Sequence, residues 1–252
     1  GAFGDLFRDI ADLPLLRTLV EHHHESPSFG DFTVQKVPQG RARTLACLVS
    51  EADNLSSAER DEAAEGYQDY RTTPLAPVFG RVTLNDSEAP KPLRYHARWL
   101  SDPASLGTIF PDGFTQFSPG EMNNLLMAFS EEFNGLSKGV NKTDFNLLIT
   151  HLMGISQKYL WCLPSNTQES QPDVSLYDHL KTTAAIAACL YRYHVSMGTL
   201  DEKAIKKDAP KFLMVVGDLS GIQNYIFDIA TTGAGGVARR LRARSLFIQL
   251  IT

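Results

Sequence analysis

Phe212-Leu213-Met214-Val215-Val216-Gly217-Asp218-Leu219-Ser220-Gly221-Ile222-Gln223-Asn224-Tyr225-Ile226-Phe227 is the stretch on which the reading of this chain turns. An apolar run gives way to a polar turn and then to an amphipathic segment. Leu213 to Val216 is too short for a helix and follows Pro210, so it reads as a buried strand. Gly217-Asp218 leaves that strand, Ser220 is placed to cap a helix N-terminus, and Gly221 allows close approach of the backbone. Beyond it Ile222, Tyr225, Ile226 and Ile229 recur at helical spacing. A strand that delivers Asp and Ser to the mouth of a helix is a common way to hold a nucleotide or a metal. The same pattern also makes an ordinary strand–turn–helix joint, and the pattern alone leaves both readings open.

Two features lie just downstream. Gly233-Ala234-Gly235-Gly236 permits positive φ and can turn backbone N–H groups toward phosphate, or it is a flexible linker. Arg239, Arg240, Arg242 and Arg244 present forked donors suited to phosphate or an RNA backbone. Arginines around apolar Leu241 point to one partner-facing side, although Arg-rich helix starts are usually solvated. There is no Walker A lysine pattern.

Upstream the chain reads as helical. Leu6, Ile10, Leu13, Leu16, Leu19 and Val20 form an apolar stripe over residues 5–24, with Pro14 as a boundary or kink. A polar loop over 26–40 precedes a helix from Thr44 that carries Asp53 near its end. Residues 54–70 are polar and acidic and read as a solvated face or loop. Leu75 to Phe79 and Arg81 to Leu84 are short β-favouring pieces, punctuated afterwards by Pro90 and Pro92. Helices are expected from Pro119, from Thr143-Asp144 and from Ser175, the last opening on a capping-box-like Ser175-Leu176-Tyr177-Asp178. Residues 198–207 read as a charged connector, and Pro210 as a domain boundary.

Composition bounds the function classes. The 252 residues are 43% hydrophobic and 21% charged, as in an ordinary globular chain. A net charge of −5 excludes a global basic field, so any nucleic-acid contact must come from a local patch. No apolar run reaches the roughly 18–20 residues of a membrane span, and no secretory signal is visible. Cys47, Cys162 and Cys189 are few, scattered and odd in number, which fits reduced thiols in a cytoplasmic protein and neither a disulfide framework nor a Cys-based zinc site.

The other candidate for chemistry is His22-His23-His24 with Asp53. Imidazole and carboxylate suit first-row divalent metals, and such a metal can generate hydroxide from water near neutral pH. Adjacent helical residues point about 100° apart, so consecutive histidines rarely chelate from a regular helix. At a fraying helix end they can. The alternative is a solvated histidine cluster with Asp53 as a helix-end residue. Tyr177-Asp178-His179 has the composition of a metal dyad in reversed order, but it sits in a first turn, where Asp178 favours the macrodipole in any case. His151, His194 and Cys189 read as packing or surface residues.

Together, Gly217-Asp218-Leu219-Ser220-Gly221-Ile222-Gln223 and Leu241-Arg242-Ala243-Arg244-Ser245-Leu246-Phe247 resemble the first Palm domain of the large subunit of type III CRISPR–Cas effector complexes, in its Csm-type, subtype III-A version. Three further segments are similar to the same family, in family order: residues 51–60, Pro74 to Phe79, and Asp173 to Thr182. The resemblance implies a mainly α N-terminal HD-like domain over 1–207, with a short β-containing insertion and connecting helices. The start of an α+β ferredoxin-like Palm domain follows over 208–252. It implies a metal-dependent nuclease (Mn, Ni or Mg) acting on single-stranded DNA. It further implies paired Palm domains that convert ATP into cyclic oligoadenylate in antiviral defence. Guide RNA, target RNA and other effector subunits are the implied partners, with target RNA as the activator and no membrane involved. His23, His24 and Asp53 occupy the positions of catalytic metal ligands, with His22 as the register alternative, and Asp218, Ser220 and Gly221 those of a nucleotide pocket.

The His-Asp dipeptide that names the HD domain and the Gly-Gly-Asp-Asp motif of the second Palm are both missing from the 252 residues. The expectation is therefore a fragment with an incomplete nuclease site and only the start of a Palm. A scaffold subunit with a degenerate HD site, or an unrelated metal phosphohydrolase joined to a nucleotide-binding module, would carry some of the same residues.

Overall fold

The computed structural model describes residues 6–7, 10–57, 69–83, 92–100, 109–139, 144–168, 171–218, 220–227 and 236–251. The chain divides into two compact units, Gly1–Lys211 and Phe212–Thr252. The first unit holds helices α1 (Leu13–Glu21), α2 (Arg41–Ser56), α3 (Pro119–Gly139), α4 (Phe145–Leu160), α5 (Leu176–Met197) and α6 (Glu202–Lys206). The second holds α7 (Ile222–Phe227) and α8 (Val237–Ile251).

Local chemistry sets the helix ends. Asp12 caps α1 by accepting from the Leu15 amide, and Pro14 stands in its first turn, where a missing N–H costs nothing. The expected stripe over 5–24 is therefore split at this point. Leu6 and Ile10 join one core, while Leu19 from α1 joins the other. Asp144 caps α4 through the Leu147 amide, and Ser175 caps α5 through the Asp178 amide. At the far end of α5, Gly198 adopts φ 64°, the left-handed conformation that turns the chain out of a helix. The segment after it is more than a connector. Asp201 caps the short α6, whose Ile205 is fully buried.

Two hydrophobic clusters organise the first unit. One joins Leu125 and Leu136 of α3 to Leu148, Ile155 and Tyr159 of α4, and takes in Ala97 and Phe117 from the irregular segments before α3. Those segments are fastened by backbone acceptors: Trp161 Nε1 donates to the Arg98 carbonyl (2.9 Å), and the Leu100 amide to that of Lys158 (2.9 Å). The other cluster lies beneath α2, where Ala46, Cys47, Leu48 and Ala52 meet Leu190 of α5, Ile205 of α6 and Val34. Small residues on both helices, including Ala187 of α5, allow this close packing. Burying each large aliphatic side chain contributes about 1.5–3 kcal/mol. All three cysteines are free. Burial pushes the Cys47 thiol up to about 11 and that of Cys162 up to about 12, so both pack as small apolar groups.

The expected β pieces are not strands. Among the described residues β-pairing is confined to single bridges, His24 with Thr33, Arg94 with Asp112 and Pro164 with Ser175. Leu75 and Ala76 are buried, but the Ala76 amide donates to the Pro172 carbonyl (2.7 Å) and the Leu75 carbonyl accepts from Tyr95 (2.9 Å). With each bond going to a different segment, no ladder forms. Val78–Arg81 then closes into a 3₁₀ turn with Val78 and Phe79 exposed. Likewise the run from Phe212 is exposed and has no β-pairing among the described residues. Leu213 is 85% and Val216 87% exposed. A β-prone run is half of a strand; the other half is a neighbour that accepts and donates along its length. Leu84, Pro90, Thr143, Leu219, Ile229, Gly233, Ala234, Gly235 and residues 58–68 lie outside the described residues.

One polar device pins the segments before α3 to its N-terminus. His96 Nδ1 faces Glu121 Oε1 (2.7 Å) and Nε2 faces Asp112 Oδ2 (3.2 Å), while its ring stacks on Phe114 (4.2 Å, 11°). Carboxylates only accept, so both ring nitrogens carry protons and the side chain is an imidazolium. Burial pulls the His96 pKa down, but the bonds to Glu121 and Asp112 outweigh it and raise it above 6.5. For Glu121, burial raises the pKa, but the Ser118 amide and His96 hold it below 4.5. The His96 contribution is therefore complete below pH 6.5 and is lost as pH rises through the raised native value. That of Glu121 is present above pH 4.5 and is lost as pH falls through the depressed one. Unfolding midpoints of wild type and His96→Gln, compared from about pH 6 to about pH 9, should converge as pH rises. A gap that does not change with pH would mean that the imidazolium contributes nothing.

Candidate metal centre

Helix α1 ends at Glu21, and its C-cap His22 leaves the helical conformation at φ −125°, ψ 30° while its amide still donates to the Thr18 carbonyl (3.0 Å). His23 and His24 are thus freed from the 100° helical offset. His24 is held by a parallel bridge to Thr33, its carbonyl accepting from the Val34 amide at 2.9 Å. The result is two histidine rings side by side, centroids 4.0 Å apart, with His24 also stacked on Phe29 at 3.9 Å.

His23 Nδ1 lies 2.9 Å from the Val20 carbonyl oxygen. A carbonyl can only accept, so Nδ1 is the protonated nitrogen and Nε2 keeps its lone pair. That is the tautomer a metal ligand requires. Asp53 arrives from the last turns of α2, one residue beyond buried Ala52. One ligand atom from each of His23, His24 and Asp53 lies within 4.8 Å of the others. All three side chains are half-buried. Two imidazoles and a carboxylate suit a first-row divalent cation, and three protein ligands leave coordination positions for water or substrate. His22 stands apart from this group. Its ring faces Phe32 at 6.0 Å, and its buried Nδ1 has no hydrogen-bond partner among the described residues.

The residue that sequence reasoning undervalued is His179. It lies one turn into α5, is buried at 7% exposure, and donates from Nε2 to Asp53 Oδ1 at 2.8 Å. Its Nδ1 lies 3.1 Å from Ser56 Oγ, and that hydroxyl also lies 3.2 Å from the His179 carbonyl. The main chain is fixed as well, because Ser57 Oγ donates to the Asp53 carbonyl (2.8 Å). His179 therefore orients the carboxylate from behind. Its neighbour Asp178 turns the other way, accepting from the Ser175 hydroxyl at 2.7 Å. The sequence signal was present in the cap: a histidine four residues after Ser175 sits one turn inside the helix. Which helix it faces was not readable from that position.

Of the other sequence candidates, His194 is a packing residue. It is 1% exposed, with Nδ1 near Thr199 Oγ1 (3.1 Å), and burial holds its pKa down. His151 and Cys189 are exposed. In the second unit Asp218, Ser220 and Gly221 are all exposed. Gly221 adopts φ 77°, and its carbonyl accepts from the Tyr225 amide (2.9 Å), so the glycine serves the turn into α7. Arg239, Arg240 and Arg242 lie exposed on α8. Arg244 instead folds over the Tyr225 ring at 4.8 Å and donates to that residue's carbonyl.

Residues 211–252 match the family described as Csm1 subunit domain B. The chain is 30% identical over 204 residues to the Thermococcus onnurineus protein named CRISPR system single-strand-specific deoxyribonuclease Cas10/Csm1 (subtype III-A), covering 81% of this chain and 22% of that one. A protein of the same name from Methanocaldococcus jannaschii is 32% identical over 149 residues, covering 49% and 18%. The crystal structure of Csm1 from T. onnurineus shares the fold, with a TM-score of 0.61 at 24% identity over 99% of this chain and 30% of that one. The chain thus spans less than a third of the length of these relatives. Mainly helical, aligned with that solved structure over 99% of its length and matched by the Csm1 domain model at its C-terminal segment, the chain belongs to the Cas10/Csm1 family of subtype III-A CRISPR systems.

Proposed function

We propose that this chain is the N-terminal part of the large subunit of a type III-A RNA-guided effector, and that its first unit is an HD-type nuclease acting on single-stranded DNA. The observation that carries the reading is the convergence of His23, His24 and Asp53 ligand atoms within 4.8 Å. The relatives' printed name, single-strand-specific deoxyribonuclease, supports the substrate. His23, His24 and Asp53 would hold a divalent ion, which would supply Lewis acidity and lower the pKa of a bound water. The chain's own part is positional. Val20 sets the His23 tautomer, the bridge to Thr33 holds His24, and His179 with Ser56 aims the Asp53 carboxylate.

The second unit is, on the same proposal, the opening of the first Palm, with Asp218, Ser220 and Gly221 as its local contribution to an ATP pocket. In the whole protein this Palm works with a sister Palm to make cyclic oligoadenylate once guide RNA has paired with target RNA. Its match to the family's domain B supports this placement. The open apolar run at Leu213 to Val216 is what a Palm strand awaiting its sheet neighbours would present. The absence of any helix long and apolar enough to cross a membrane, among the described residues, is compatible with cytoplasmic work.

Two measurements follow. Full-length protein should cut a single-stranded DNA oligonucleotide with manganese or nickel, and Asp53→Ala should slow cleavage by more than about 100-fold, since a ligand's loss should exceed that of an outer partner; equal rates would remove Asp53 from the site. In the assembled complex, Ser220→Ala should weaken ATP binding by up to about tenfold, the worth of one hydrogen bond. Unchanged affinity would exclude that contact.

A further inference from the structure

An open pocket of about 530 Å³ lies on the first unit, lined by Val34, Gln35 and Arg43 and by Glu202, Lys203, Lys206 and Lys207. It is locally basic in a chain whose net charge is −5: four cations line it against one carboxylate. Lys203, Lys206 and Lys207 stand at i, i+3 and i+4, the spacing that places side chains on one face of a helical turn. Two of the four cations are already engaged. Arg43 Nε pairs with Glu202 at 3.1 Å, and Lys206 Nζ with Glu25 at 2.5 Å. Lys203 and Lys207 are exposed and have no carboxylate partner among the described residues.

The pocket touches the cluster's supports at two places. Val34, in its wall, donates its amide to the carbonyl of His24 (2.9 Å). Glu25, which holds Lys206, directly follows His24 in the chain. Arg43 and Asp53 are ten residues apart on α2, about 15 Å along the helix axis. A phosphodiester backbone with one phosphate at the cluster therefore reaches the free lysines within a few nucleotides. The apolar wall at Val34 and the exposure of both lysines favour an extended flexible strand.

Resting on the nuclease reading, we propose that this pocket is the backbone subsite for single-stranded DNA, with Lys203 and Lys207 contacting phosphates a few nucleotides from the one presented at His23, His24 and Asp53. The contacts are electrostatic and independent of sequence, and counterion release makes them measurable through salt dependence.

The test uses full-length protein in EDTA with a fluorescein-labelled oligothymidylate, followed by anisotropy from about 0.05 to about 0.3 M salt. Removing two phosphate contacts with Lys203→Ala plus Lys207→Ala should lower the slope of log K against log salt by about 1.4, which at about 0.1 M salt is about a 25-fold loss of affinity. Lys203→Glu plus Lys207→Glu should weaken binding further, with the thermal midpoint unchanged because both side chains are exposed. Identical slopes for wild type and both double variants would overturn the subsite, as would lysine-dependent binding of a matched oligouridylate without binding of the DNA. Lysine-dependent DNA binding by a protein that does not cut with manganese would support the subsite and count against the nuclease reading alone.

Discussion

The 2.8 Å bond from His179 Nε2 to Asp53 Oδ1 ties together two helices that come from opposite ends of the first unit's sequence. It closes over a core in which Ala46, Cys47 and Ala52 of α2 meet Leu190 of α5, and it ends on Asp53, a member of the candidate metal cluster. The apolar layer fixes the distance between the helices, but it is indifferent to rotation of the Asp53 carboxylate. The histidine supplies that direction. Burial makes the arrangement strict, because at 7% exposure an unpartnered His179 nitrogen would have little water to turn to. Ser56 accordingly engages its other nitrogen at 3.1 Å.

The same economy appears at the histidines. A helix cannot aim consecutive residues at one point, and α1 stops one residue before His23 and His24. The bridge of His24 to Thr33 then replaces helical hydrogen bonding with a single extended contact, and the Val20 carbonyl sets the His23 tautomer. Each candidate ligand is thus governed by a backbone or outer side-chain partner rather than by its own helix. Core, outer partner and ligand form three layers, and a disturbance in the first two would act on a metal without touching it.

Much of the helical frame was legible because its signals are local. Asp144 and Ser175 cap the helices their spacing announced, Pro14 marks a boundary, and the α3 and α4 stripes at Leu125, Leu148 and Ile155 face the core. What was not legible depends on partners distant in sequence. Leu75 and Ala76 have the composition of a strand, yet their backbone bonds go to Tyr95 and Pro172, and no ladder results. Phe212 to Val216 likewise has the pattern of a strand without a pairing neighbour among the described residues. The connector at 198–207 hid α6, because five residues are too few for a periodic signal and its one decisive feature is the burial of Ile205. The histidine cluster and Asp53 were visible as metal-capable residue types, whereas His179, 126 residues from Asp53, looked like the neighbour of a helix-capping aspartate.

The central claim is that His179 governs the metal site through Asp53. It is tested most directly by manganese titration of full-length protein, taking the binding lost in Asp53→Ala as the signal of this site. His179→Ala should weaken that binding by about 10- to 100-fold while leaving metal-free binding of single-stranded DNA unchanged. Manganese affinity equal to wild type in His179→Ala would contradict the account.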